Sequence, residues 1–167
     1  MQGSRTGRVA VAMLFAAIAA CSDDVSNPAS VTNFRGTLNG ASEKPTAVIT
    51  NASGTATFAL SGGNITFTVN YSGLSGAPSA SHIHVGAPNQ SGAVQLNLCG
   101  TGATFPVACP TVATGSFTGT AAAAHLVGTG VTMETVLSNM RGFNAYVNVH
   151  TAANGGGEIR GNIVGVP

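Results

Sequence analysis

Apolar and polar residues alternate with period two through most of the chain beyond residue 31, the pattern of strands that bury one face. The clearest run is Asn144-Ala145-Tyr146-Val147-Asn148-Val149-His150-Thr151. Ala145, Val147 and Val149 fall on one face, and Tyr146, Asn148 and His150 on the other. Ala152-Ala153-Asn154-Gly155-Gly156 supplies a turn, because Asn and Gly accept positive φ at little cost. The return strand, Gly157-Glu158-Ile159-Arg160-Gly161, directs Ile159 and Ile163 inward and Glu158, Arg160 and Asn162 outward. Such a hairpin places His150, Asn148, Glu158 and Arg160 on one surface, which an apolar sheet has no need of.

The same alternation predicts strands over Thr32 to Leu38, Gly54 to Leu60, Asn64 to Tyr71, Ala80 to Val85, Gly92 to Leu98 and Thr114 to Thr120. Asn39-Gly40 and Ser61-Gly62-Gly63 are turn signals between them. Thr55, Thr57, Thr66 and Thr68 make one face polar, so that face meets water. The period changes to 3.6 only once. Met133, Val136, Leu137 and Met140 stand at helical spacing, with Thr132 to cap the start and Gly142 to end it. One short helix near residues 132–141, lying across an edge or end of eight or so short strands, predicts an all-β domain. Its form is a Greek-key β-sandwich or flattened barrel over residues 32–167.

The first residues do not belong to that domain. Arg5 and Arg8 precede an apolar run from Val9 to Ala20 that is too short to span a membrane. It ends Ile18-Ala19-Ala20-Cys21, which resembles a bacterial lipobox. The resemblance implies a signal peptide over residues 1–20, cleavage before Cys21, and lipid on Cys21. Residues 21–31, with Asp23, Asp24, Asn27 and Pro28, read as a tether. The expected location is extracytoplasmic, with the membrane as a partner through the lipid. Without residues 1–20 the chain keeps Arg35, Lys44, Arg141 and Arg160 as its basic residues, with no basic patch and no aromatic stripe, which argues against nucleic-acid binding. Three cysteines fit export: with Cys21 lipidated, Cys99 and Cys109 remain as a disulfide pair closing a loop over residues 99–112.

Candidate chemistry centres on His82-Ile83-His84. Residues i and i+2 of a strand point the same way, so both imidazoles project from one face with Ile83 behind them. His150 is placed likewise on its own strand. Three neutral imidazoles make a ligand set for copper or zinc, with binding expected to weaken as pH falls toward ~6.5. Asn148 or Glu158 is placed to orient an imidazole by accepting its second N–H, and Arg160 to stand beside them. The bland reading is three His on solvated faces. Glu158 and Arg160 read as a cross-strand polar network, and His125 as a surface residue. No Gly-x-Ser-x-Gly, P-loop or dinucleotide fingerprint is present, and carboxylates are too few for glycosidase chemistry.

Four stretches resemble the CHRD domain family: Phe34-Arg35-Gly36-Thr37-Leu38, Ser81-His82-Ile83-His84-Val85-Gly86, Tyr146-Val147-Asn148-Val149-His150-Thr151 and Gly156-Gly157-Glu158-Ile159-Arg160-Gly161. The family is named for the repeated domain of chordin and occurs in exported bacterial proteins. The resemblance covers roughly residues 32–165. It implies no enzymatic activity, and chordin's growth-factor antagonism does not carry over, since chordin's other modules are missing. A fainter resemblance is to Cu/Zn superoxide dismutase, in Gly73-Leu74, His82-Ile83-His84, Gly86, Val149-His150 and Gly157 to Arg160. It implies a Greek-key sandwich with His82, His84 and His150 as ligands and Arg160 nearby. The bridging His, the further zinc His pair and the zinc Asp have no match, so a mononuclear site is implied.

Three functions follow as expectations. The first is a lipid-anchored extracytoplasmic binding or structural module holding one copper or zinc ion. The second is a redox metalloenzyme resembling superoxide dismutase. The third is a metal-free cell-surface adhesion module.

Overall fold

The computed structural model describes residues 31–166, and Gly3. The leader, the lipid site at Cys21 and nearly all of the tether lie outside the described residues. The described chain runs β1 (Asn33–Asn39), β2 (Ser53–Ser61), β3 (Asn64–Ser72), β4 (Pro78–Val85), β5 (Val94–Cys99), β6 (Gly115–Ala121), α1 (Met133–Arg141), β7 (Ala145–Thr151), β8 (Ile159–Asn162) and β9 (Val164–Val166). The strands form one sheet in the order β5-β4-β7-β8-β1-β2-β3-β6, with β9 paired to the start of β1. Every ladder between them is antiparallel. The terminal strands β5 and β6 approach each other, so the sheet curls into a nearly closed, flattened barrel. No helix among the described residues is long and apolar enough to cross a membrane.

Alternation explains the half of the barrel made by β1, β2, β3 and β6. Phe34, Phe58 and Phe67 lie opposite one another across β1–β3 and are buried. Gly119 continues that row on β6, and its missing side chain makes room for the Phe67 ring, which would lie 2.8 Å from a Cβ there. On the outer face Arg35, Thr57, Thr68 and Thr118 form the matching row, with the Thr68 and Thr118 hydroxyls 3.0 Å apart. The core is completed by Ile83, Leu96, Leu98, Val147, Val149 and Ile159. The helix adds Val136, Leu137 and Met140 to it and packs against β7 and β9. Thr132 caps α1 by accepting the Thr135 N–H at 3.1 Å.

The other half departs from the expected pattern. β7 is buried at all seven positions, so Tyr146, Asn148 and His150 do not form a solvated face. Glu158 and Arg160 are also wholly buried, while Asn162 is half-buried. Loops cover this face, over residues 40–52, 86–93, 100–108 and 152–158. Period-two alternation reports which side a residue takes, and it carries no information about what a loop lays over that side. The loop over residues 100–108 is tied down by a disulfide between Cys99 and Cys109, whose Cα atoms are 4.9 Å apart.

Candidate metal centre

The site begins with strand order. β7 lies between β4 and β8, so residues from three strands line up on one face. His82, Asn148 and Arg160 form one row, and His84, Tyr146 and Asn162 the next. His150 lies opposite Ala80, two residues further along β7 than Asn148. Pairing of β4 with β7 therefore brings His150 to the His82-x-His84 pair. His82 Nδ1 is 3.1 Å from His150 Nε2, and the ring centroids of His84 lie 5.6 Å from His82 and 6.3 Å from His150. One nitrogen from each of the three rings lies within 4.8 Å of the others. An ion held at 2.0–2.1 Å separates two ligand nitrogens by at most ~4.2 Å. Small ring movements on binding therefore bring all three into range.

Backbone carbonyls set the tautomers. His84 Nδ1 is 3.0 Å from Gly92 O, and His150 Nδ1 is 3.0 Å from Gly155 O. A carbonyl only accepts, so each Nδ1 carries its hydrogen and each neutral ring keeps its lone pair on Nε2. His150 Nε2 then accepts from His82 Nδ1–H. His84 Nε2 is buried with no hydrogen-bond partner. A buried acceptor without a partner is costly, and a cation supplies one. Burial holds all three rings neutral. It lowers His82 to about 3, helped by repulsion from His150 and His84. It also lowers His84 and His150, against the pull of their carbonyl partners. The expected loss of ligand capacity near pH ~6.5 is therefore displaced to lower pH.

A second layer holds these rings in place. The Tyr146 ring stacks on His84, with centroids 4.7 Å apart and planes inclined by 11°. The Arg160 guanidinium carbon lies 3.4 Å from the Tyr146 centroid. Tyr146 Oη accepts from Gly92 N–H at 3.2 Å, and Arg160 Nη2 donates to Ala87 O at 3.0 Å. Both contacts fix the loop that carries Gly92 O, and through it the His84 ring. Asn148 stands in the row beside these rings, opposite His82, with its Oδ1 buried and unpartnered.

Glu158 is a correction. It reaches no imidazole, because it precedes β8 in a bend and turns away from His150. Its carboxylate accepts from Ser75 N–H at 2.8 Å, from Thr151 Oγ1 at 2.7 Å, from Thr50 Oγ1 at 3.1 Å and from Ser75 Oγ. Burial raises its pKa, but these bonds outweigh burial and leave it below the usual carboxylate range. Glu158 thus pins two loops, and it shares no network with Arg160. His125 lies outside the cluster, where its Nδ1 accepts from Ala122 N–H at 2.9 Å.

Sequence reasoning missed Tyr146, Glu43 and Phe105. Tyr146 had a signal, since it alternates with Asn148 and His150. Glu43 and Phe105 lie in loops and had none. Phe105 packs 5.9 Å from His82, measured between ring centroids. His82 also borders an open groove with Val94, Asn97, Thr104, Leu126, Val127 and Gly128.

The family model for the CHRD domain matches residues 34–163, from β1 through β8. This chain belongs to the CHRD domain family. All three imidazoles, Arg160 and the disulfide fall inside the matched region. Comparison of this CHRD domain with curated proteins and with solved structures finds no match.

Proposed function

We propose that this CHRD domain is an extracytoplasmic binding module that holds one copper or zinc ion through His82, His84 and His150. The observation that carries the reading is the convergence of three buried imidazoles, two of them fixed by backbone carbonyls with the lone pair on Nε2, that of His84 unpartnered. An all-nitrogen set suits both ions, and copper is the tighter binder on the general affinity order. Three protein ligands leave a position for water or a small ligand. In titrations of metal-free protein with Cu²⁺ and Zn²⁺, the wild type should bind one ion. His84→Ala should weaken binding by at least about tenfold, the scale for losing a group that orients a ligand, and a true ligand costs more. His125→Ala should bind as the wild type does. Failure of the wild type to bind either ion would leave the metal-free adhesion reading.

A redox enzyme like superoxide dismutase is the second reading, supported by Arg160 buried one strand from the cluster. Superoxide consumption by copper-loaded protein tests it. The lipid anchor at Cys21 rests on the Ile18-Ala19-Ala20-Cys21 run. Cys21→Ser should abolish fatty-acid labelling and membrane retention, and equal labelling of the two proteins would remove the anchor.

A further inference from the structure

Beyond Tyr146, a second set of buried polar atoms lies outside the three-imidazole cluster. Arg160 is fully buried, and its Nε and Nη1 have no hydrogen-bond partner. Glu43 is 3% exposed, with Oε1 unpaired. Asn148 is 1% exposed. Two of them meet over bare backbone: a Cβ on Gly157 would strike Glu43 Oε1 and lie 2.8 Å from Asn148 Nδ2, and Arg160 pairs with Asn148 across β7 and β8. The Arg160 charge acts on Glu43, yet among the described residues no ion pair closes between them. Donors from Arg160 and Asn148 therefore face a carboxyl group that does not engage them directly. Unpaired N–H groups of a wholly buried guanidinium are costly, and a held-apart opposite charge is a poor stabilising device. The arrangement makes sense as an anion site with its own internal competitor.

We propose that Arg160 and Asn148 form an interior site for a small oxyanion of the nitrate or bicarbonate class, in which Glu43 is the internal counter-ion that the anion displaces. The site needs no metal, so it stands apart from the function proposed above. Entry balances charge. In the resting state Arg160 is neutralised by ionised Glu43. An entering monovalent anion brings one proton, which bonds to the Glu43 carboxylate, and the anion takes over the pairing with Arg160. Above the Glu43 midpoint the interior thus keeps zero net charge as the anion enters, and below it Glu43 is already protonated and the anion alone neutralises Arg160. Protonated Glu43 then turns from competitor to donor. Burial pushes Glu43 up to about 7 despite the opposing pull of Arg160 and the Lys44 N–H, so this proton is exchanged near neutrality. The other titratable groups around this end of the sheet are His82, His84, His150, Tyr146, Glu158 and Lys44. His84 is held neutral, and Glu158 is bonded to Ser75, Thr151 and Thr50.

The test is nitrate titration of metal-free protein by calorimetry, with the Glu43 side-chain carboxyl followed by NMR. Wild type should bind nitrate at acid pH, and the affinity should fall roughly tenfold per pH unit above the Glu43 midpoint. Glu43→Gln should bind equally at acid and alkaline pH, and Arg160→Gln should not bind. Since those variants touch buried groups, the wild-type NMR arm decides alone: saturating nitrate should raise the Glu43 midpoint, by reciprocal linkage. A folded wild type that takes up no nitrate at acid pH, or a Glu43 midpoint that nitrate leaves in place, would overturn the proposal. Neither result touches copper or zinc binding, which is measured separately.

Discussion

Gly157 shows how little room the covered face of β7 leaves. Its φ is +123°, a region that side chains rarely adopt, and any Cβ meets Glu43 and Asn148. Gly157→Ala should therefore cost about 2–4 kcal/mol from combined strain and collision. Urea unfolding measures it, and a loss below ~0.5 kcal/mol, the range of ordinary surface changes, would mean that Glu43 simply swings aside. The buried titratable groups give metal-free protein a distinctive pH profile. His82 has a folded value of about 3 against an ordinary 6.5. Its stabilising contribution is complete above 6.5 and is lost as pH falls toward 3. Glu43 runs the other way, from an ordinary 4.5 to about 7 in the fold. Its contribution is complete below 4.5 and is lost as pH rises through 7. His84 and His150 are lowered in the same sense as His82, so stability should begin to fall below 6.5, with Glu43 offsetting one of the three imidazoles down to 4.5 and the loss steepening below it. Glu43→Gln should steepen the loss between 6.5 and 4.5. An unchanged slope there in unfolding measurements across pH would show that Glu43 does not provide the offset.

Among the elements, the loop over residues 100–108 matters most to the cluster. It folds back on β5: Gly100 N–H donates to Val107 O at 3.1 Å, and Asn97 Nδ2 donates to Thr104 O at 3.0 Å. This sets Phe105 over Gly100 and against His82. The disulfide closes that arch. Replacing Cys99 and Cys109 by Ser should cost up to about 3 kcal/mol. It should also speed metal release severalfold, read by chelator competition. An unchanged release rate would show that Phe105 does not cover the ion. These loops were also the illegible part of the sequence. The elements themselves could be read to within a residue or two: alternation located eight strands, and the Met133/Val136/Leu137/Met140 spacing located α1. The three-residue β9 was missed, because Val164 and Val166 are too few to show a period. His82 and His84 shared a face by simple i, i+2 geometry. Their meeting with His150 depended on β4 pairing with β7, and partner choice between distant strands leaves no local trace. Glu43 was invisible, since a lone acidic residue before Lys44-Pro45 reads as a surface turn. Glu158 was misplaced because strand parity was extended into a bend.

As a whole molecule, the barrel divides its labour. β1, β2, β3 and β6 show water a Thr-rich face, which their alternation marks in the sequence. β4, β7 and β8 carry the chemistry under loops, and there the wider alternation pattern gave the right sides and the wrong exposure. The strand order also has a kinetic consequence. The His82–His150 contact spans 68 residues, and Glu158 to Ser75 spans 83. Contacts so distant in sequence form late and slowly, because loop closure must precede any gain from pairing. An emerging chain has made β1 to β6, and two of its three imidazoles, long before β7 exists. Until β7 inserts between β4 and β8, those two imidazoles lack their third partner and the carbonyl clamp on His150. The proposed capture of a metal by all three imidazoles is thereby timed to the last act of folding.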